Sequence, residues 1–215
     1  MRYLRENKKL ILTAMSLPVF FFFLDGVVVS FLKNHYINSA AYKLLEHLDA
    51  PMNFISHGVT LLTIAISLCL AGRFFDKKYY PAGKSLLVGF IASGLIVQIL
   101  KHIVGRERPR LTDNLVLAGP SLQSGYDSFP SGHTTVAFCM AYILATHFPR
   151  YRVYFYFLAT MIGLERVEGI AHFPSDVLAG AITGIVVAKF LLLKVFPSES
   201  RPLNDRVSES RGGFV

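Results

Sequence analysis

Three short stretches of this 215-residue chain hold the side chains able to do chemistry: Lys101 to Pro109, Phe129 to His133, and Arg166 to Asp176. Between them they supply three cations (Lys101, Arg108, Arg166), two histidines (His133, His172), one carboxylate (Asp176), and the pair Ser131 and Gly132 where a helix would open. That inventory suits a phosphate dianion. Guanidinium groups match phosphate oxygens with forked hydrogen bonds, and a lysine adds a mobile point charge. Backbone N–H groups of Gly132 and His133 at a helix start add donors and a favourable dipole. Phosphoryl transfer depends on positioning and on stabilising charge at the equatorial oxygens, so converging donors are what it needs.

His172 and Asp176 are four residues apart, and Pro174 between them is tolerated in the first turn of a helix. A carboxylate accepting one ring N–H would fix the tautomer and leave the other nitrogen free to attack. His133, from another segment, is left as general acid for the leaving group. A metal centre is the competing reading of such a cluster. The spacings fit neither a zinc helix motif nor a calcium loop, and three neighbouring cations would repel a metal ion, so no metal and no cofactor are expected.

The elements that must position these residues are apolar. Hydrophobic residues make up 53% of the chain and charged residues only 17%, a surplus that makes a bilayer the natural solvent. Six apolar segments are legible, Leu10–Leu32, Met52–Ala71, Ser85–Val104, Gly132–Phe148, Tyr151–Leu164 and Val177–Phe196, predicting an all-α integral membrane bundle of six transmembrane helices. The fourth and fifth are short for a span, and Pro149 and Arg150 between them force antiparallel neighbours. The first is too long for a cleavable signal sequence and reads as a retained span. The chain reads as one domain, with its core at 10–196 and a flexible tail at 197–215. Cys69 and Cys139 fall inside apolar runs and read as core filler. His35, His47, His57, His102 and His147 match no pattern and read as structural, and Asp25, in the first segment, is expected to reach water or Lys33.

Of the 22 Lys and Arg residues, 14 lie at the two ends of the chain and in the 73–84 and 150–152 connections, which places both termini in the cytoplasm. The opposite side holds seven, and five of these cluster in the connections between the third and fourth and between the fifth and sixth segments. Charges at such positions are costly unless they serve a polar site. A formal charge of +8 raises nucleic acid as a partner, but the basic residues are separated by long apolar runs, and no nucleic-acid binding is expected.

The three stretches resemble the signature motifs of the type-2 phosphatidic acid phosphatase (PAP2) superfamily: K-x6-R-P at Lys101, Arg108 and Pro109; P-S-G-H at Pro130 to His133; and S-R-x5-H-x3-D at Arg166, His172 and Asp176. The resemblance implies a six-helix membrane phosphatase with a phosphohistidine intermediate on His172, oriented by Asp176. It implies protonation of the leaving group by His133 and phosphate contacts from Lys101, Arg108, Ser131, Gly132 and Arg166. Its substrates would be lipid phosphates or pyrophosphates such as phosphatidate, phosphatidylglycerol phosphate, undecaprenyl pyrophosphate or lipid A phosphates. The enzyme would sit in the inner membrane with its site facing the periplasm or exterior. A lipid phosphotransferase sharing the intermediate and a non-catalytic lipid-phosphate binder or transporter are the alternatives. One position departs from the pattern: Glu165 stands where the motif has Ser. A rotation of about 100° per residue would turn it away from Arg166, towards Arg106 or Arg110.

Overall fold

Apolar runs of about 20 residues can satisfy their own N–H and C=O groups in a membrane by forming α-helices. The computed structural model describes residues 12, 16, 17, 19–37, 39–45, 47 and 49–197, and among these the regular structure is all helical. Helix α1 (Asp25–Phe31) is flanked by π-helical turns at Phe20–Leu24 and Leu32–Tyr36. The short α2 (Ala40–Leu45) and α3 (Asp49–Ser56) lead into α4 (Gly58–Phe74). Then come α5 (Tyr79–Val104), α6 (Gly132–His147), α7 (Arg152–Glu168) and α8 (Pro174–Phe190), the last prolonged by a π-helical turn at Leu191–Val195. Tyr79–Val104 and Pro174–Val195 are each long and apolar enough to cross a membrane.

Helix α5 is patterned for a bilayer. Its outward stripe is Ile91, Leu95, Ile99 and Ile103, all exposed and all apolar, whereas its inward stripe, Ser93, Val97 and Lys101, is buried and carries the polar groups. Apolar residues outside and polar ones inside invert the arrangement of a water-soluble helix. Leu86, Cys139, Ile143, Val187 and Leu191 close the core between α5, α6 and α8. Cys139 is thus the core filler expected of it, and His147, at the end away from the three motifs, is buried with Ser85 Oγ 3.0 Å from its Nε2.

Two helices meet closely enough to fix the site's frame. Gly180 and Gly184 of α8 face α6, and a Cβ on Gly184 would fall 2.2 Å from the Thr135 carbonyl oxygen. Small residues four apart allow this backbone approach. Helices α6 and α7 pack as antiparallel neighbours, with Gly163 beside Thr134 and Tyr156 beside Phe138, across the tight turn Pro149–Tyr151.

All six predicted segments contain helix, with different edges. The second is not one span: His57 is extended, its ring nitrogen accepts the Val59 N–H at 3.4 Å, and it caps α4 instead of continuing α3. Helix α2 was not foreseen. Helix α5 begins at Tyr79, six residues before the predicted Ser85, because Pro81 is accommodated in its first turn. Helix α7 runs four residues past Leu164, far enough to carry Arg166, and α8 starts at Pro174. The beginning of the first segment and the tail beyond Pro197 lie outside the described residues.

Candidate active site

The three motifs converge because each sits at a helix end. Lys101 is in the last turn of α5, which stops at Gly105, a residue in the left-handed region (φ 56°) whose N–H donates to the Lys101 carbonyl. A Cβ there would collide with the Gly119 carbonyl, since the 105–131 loop folds back on itself at that point. Ser131 is the N-cap of α6, and Gly132 and His133 are its first turn, where backbone N–H groups have no carbonyl four residues back. Arg166 ends α7. The linker then turns through Ile170, whose φ of 52° is rare for a β-branched residue and is held by burial against Val29 and Phe173. The N–H groups of Ala171 and His172 both donate to the Arg166 carbonyl, tying the nucleophile candidate to the cation before it.

Lys101, Arg108, Gly132, His133, Arg166 and His172 line one cavity of about 370 Å³. Its other half is walled by Leu61, Phe90, Val97 and Val136 from α4, α5 and α6. A polar end and an apolar end in one cavity fit a molecule with a charged head and a hydrocarbon body.

Ser131 and Asp176 lie behind this wall. Ser131 is buried, its N–H donates to the Asp176 carbonyl at 3.0 Å, and its hydroxyl accepts from Thr134 Oγ1 at 2.9 Å. Of the predicted phosphate contacts it is therefore the one placed outside the cavity. Asp176 is buried and accepts from Arg106 Nη1 (2.6 Å), Ser128 Oγ (2.6 Å) and the Phe173 N–H (2.8 Å). Its Oδ2 is 3.8 Å from His172 Nδ1, next to the ring and beyond hydrogen-bond reach. His172 Nδ1 is buried without a hydrogen-bond partner. Burial lowers the His172 pKa below the ordinary imidazole value, and the carboxylate of Asp176 opposes that shift.

Each cation facing the cavity meets a protein carboxylate. Arg108 forks onto Asp127, Nε to Oδ1 at 2.8 Å and Nη2 to Oδ2 at 2.6 Å, while Lys101 Nζ donates to the Asp127 carbonyl at 2.5 Å. The Arg108 hydrogen bonds hold the Asp127 carboxyl well below the usual carboxylate range. Arg166 pairs with Glu165 through two guanidinium nitrogens. An incoming phosphate dianion therefore competes with Asp127 and Glu165 for the same forks.

Two sequence expectations are corrected. Glu165 does not turn to Arg106 or Arg110: both side chains are long enough for their tips to meet at the helix end, and the half-buried setting favours the ion pair. Arg110 donates instead to the Gly169 carbonyl at 3.1 Å. Asp25 reaches neither water nor Lys33. It is buried against Arg106 at 2.8 Å, and Lys33 pairs with Asp113 at 2.5 Å. Arg106, to which the sequence assigned no role, is fully buried. Asp127, Ser128 and Ser175 had no sequence signal, whereas Asp25 had one, a lone carboxylate in an apolar run. Among the described residues no three of His, Cys, Asp and Glu come together as a metal site.

Fold and site together define a helical membrane protein whose helix ends build a cationic, histidine-bearing cavity of phosphate-processing type. The PAP2 superfamily model matches residues 82–199, and the chain belongs to that superfamily. It is 37% identical over 186 residues to the lipid A 1-phosphatase of Rhizobium johnstonii, covering 76% of each chain. The crystal structure of Aquifex aeolicus LpxE superposes with a TM-score of 0.56 at 26% identity, covering 73% of this chain and 90% of that one. That of a transmembrane PAP2 type phosphatidylglycerolphosphate phosphatase from Bacillus subtilis shares the fold, with a TM-score of 0.53 over 86% of this chain and 96% of the other.

Proposed function

We propose that this chain hydrolyses a phosphomonoester or pyrophosphate carried on a lipid, through a phosphohistidine on His172 and without a metal ion. The observation that carries the reading is the single cavity in which all three motifs form a cationic end and α4, α5 and α6 form an apolar one. The hydrocarbon tail lies along Leu61, Phe90 and Val136, and the phosphate meets Lys101, Arg108, Arg166 and the first-turn N–H groups of α6. The His172 nitrogen away from Asp176 attacks phosphorus, the bond from phosphorus to the lipid oxygen breaks, and protonated His133 gives that oxygen its proton. A water then attacks the phosphohistidine, His133 takes the water's proton, and inorganic phosphate leaves. The cations do the neutralising that Mg²⁺ does elsewhere. In this reading the chain crosses the inner membrane six times, with both termini cytoplasmic and the site at the periplasmic or outer face, a topology supported by the charge bias.

The names of the relatives point first to a lipid A type phosphate. A second cavity of about 530 Å³ supports a substrate with a further anionic group, because it shares Arg108 and Asp127 with the catalytic cavity and adds Arg110 and Ser124. Purified protein in detergent with EDTA is expected to release inorganic phosphate from a panel of lipid phosphates offered singly. The Arg110→Ala variant should raise KM about tenfold for lipids bearing a second phosphate, the loss of one charge-assisted contact, and leave phosphatidate nearly unchanged. Activity that vanishes in EDTA and returns with Mg²⁺ sinks the mechanism, and no phosphate release from any lipid sinks the function.

A further inference from the structure

Arg106 is the largest fully buried side chain among the described residues and lines neither of the two cavities above. Its guanidinium lies between the rings of Phe21 and Phe173, 4.5 and 4.0 Å from their centroids. Nη1 donates to Asp176 at 2.6 Å and to Ser175 Oγ at 2.7 Å, and Nη2 donates to Asp25 at 2.8 Å. Asp25 also accepts the Ser175 N–H at 3.0 Å and the Ser175 hydroxyl. Every partner of both carboxylates is a donor, which is the bonding of the ionised, acceptor-only form. A guanidinium between two carboxylates leaves the group with one net negative charge. A buried ion network contributes little stability compared with apolar residues of the same volume. Its position against Asp176, itself beside His172, therefore points to the chemistry.

We propose that Asp25 is a positioning residue of the active site. By sharing Arg106 with Asp176 it keeps one net negative charge beside His172 and so stabilises the ring as it becomes cationic on phosphorylation. Without Asp25, Arg106 and Asp176 cancel, and the ring faces only cations. Those that share its surroundings are Lys101 of α5, Arg108 of the following loop and Arg166 of α7, with His133 of α6 opposite and Asp127 held in its fork with Arg108. The network also gives α1 a part in catalysis, since Asp25 bolts that helix to the catalytic start of α8.

The inference rests on His172 being the nucleophile, and its test keeps the two apart. The measurement is the acid limb of kcat/KM, set by protonation of His172 in the free enzyme, whose position does not depend on the fraction of protein folded. Loss of a negative charge makes the imidazolium harder to form, so in Asp25→Asn the limb moves to lower pH by about one unit, and kcat falls about tenfold. KM stays near the wild-type value, because Asp25 does not line the cavity. In Asp25→Glu the charge is kept and the limb stays in place. In the double variant Asp25→Asn with Arg106→Gln both charges of the pair are gone and Asp176 stands alone, so the limb returns to the wild-type pH. If only the double variant folds, the same coincidence is required of it. A limb that does not move in Asp25→Asn, moves equally in Asp25→Glu, or remains displaced in the double variant overturns the role of Asp25. Turnover in a parallel His172→Asn variant overturns the nucleophile instead.

Discussion

Replacing His172 by Ala abolishes turnover, with kcat falling by about 10⁴-fold or more, while vanadate, a phosphate analogue, still binds. The separation follows from the geometry. The cations that hold the anion, Lys101 of α5, Arg108 of the loop after it and Arg166 of α7, are fixed by their own partners, Asp127 and Glu165. Removing the ring takes away the attacking atom and none of these donors. Burial lowers the pKa of His172, so the wild-type ring is neutral and able to attack at pH 7. As the pH falls it stays unprotonated further than a free imidazole would, and the acid limb of kcat/KM lies below the ordinary value of about 6.5. Full activity in His172→Ala, or loss of vanadate binding together with activity in a protein whose unfolding is unchanged, contradicts the assignment.

His133→Ala has the second largest effect, and it depends on the leaving group. With a lipid phosphomonoester the departing alkoxide needs a proton, and kcat falls by about 10²- to 10⁴-fold. With p-nitrophenyl phosphate the leaving phenolate is stable without one, and the loss shrinks to a few-fold. Comparing the two substrates in the same detergent checks this. Equal losses would mean that His133 holds the phosphate and does not protonate the departing oxygen. The geometry favours the acid role, since His133 lines the cavity from the first turn of α6, on a different element from His172.

Much of this was legible because motif spacing and helix ends are local properties. The residues that open α6 are the P-S-G-H run itself, so Ser131 as N-cap and Gly132 as first helical residue follow from the sequence. The apolar runs gave the helices, and the proline–arginine turn gave the pairing of α6 with α7. What was not legible depends on distance in space. Asp25 and Arg106 are 81 positions apart and read separately as a near-surface carboxylate and as one cation among those beside the motifs. Only the packing of α1 against the start of α8 makes them a buried pair. Asp127 sits in a loop without periodicity, so nothing local marks it as the partner of Arg108. The break at His57 was missed because hydropathy continues across it, and the extended backbone there shows only in three dimensions. Glu165 was misread because a one-residue offset fixes where Cβ points and not where a long side chain ends.

Covalent chemistry on one histidine without a metal leaves a trappable intermediate. Lipid phosphate labelled with ³²P, mixed with the purified protein in detergent and EDTA and quenched in denaturant within one turnover, tests it most directly. The expected product is a phosphoenzyme stable in base and lost in acid, as a phosphoramidate is, with the label on the peptide containing His172. Label on any other residue, or label that forms only after Mg²⁺ is restored, contradicts it.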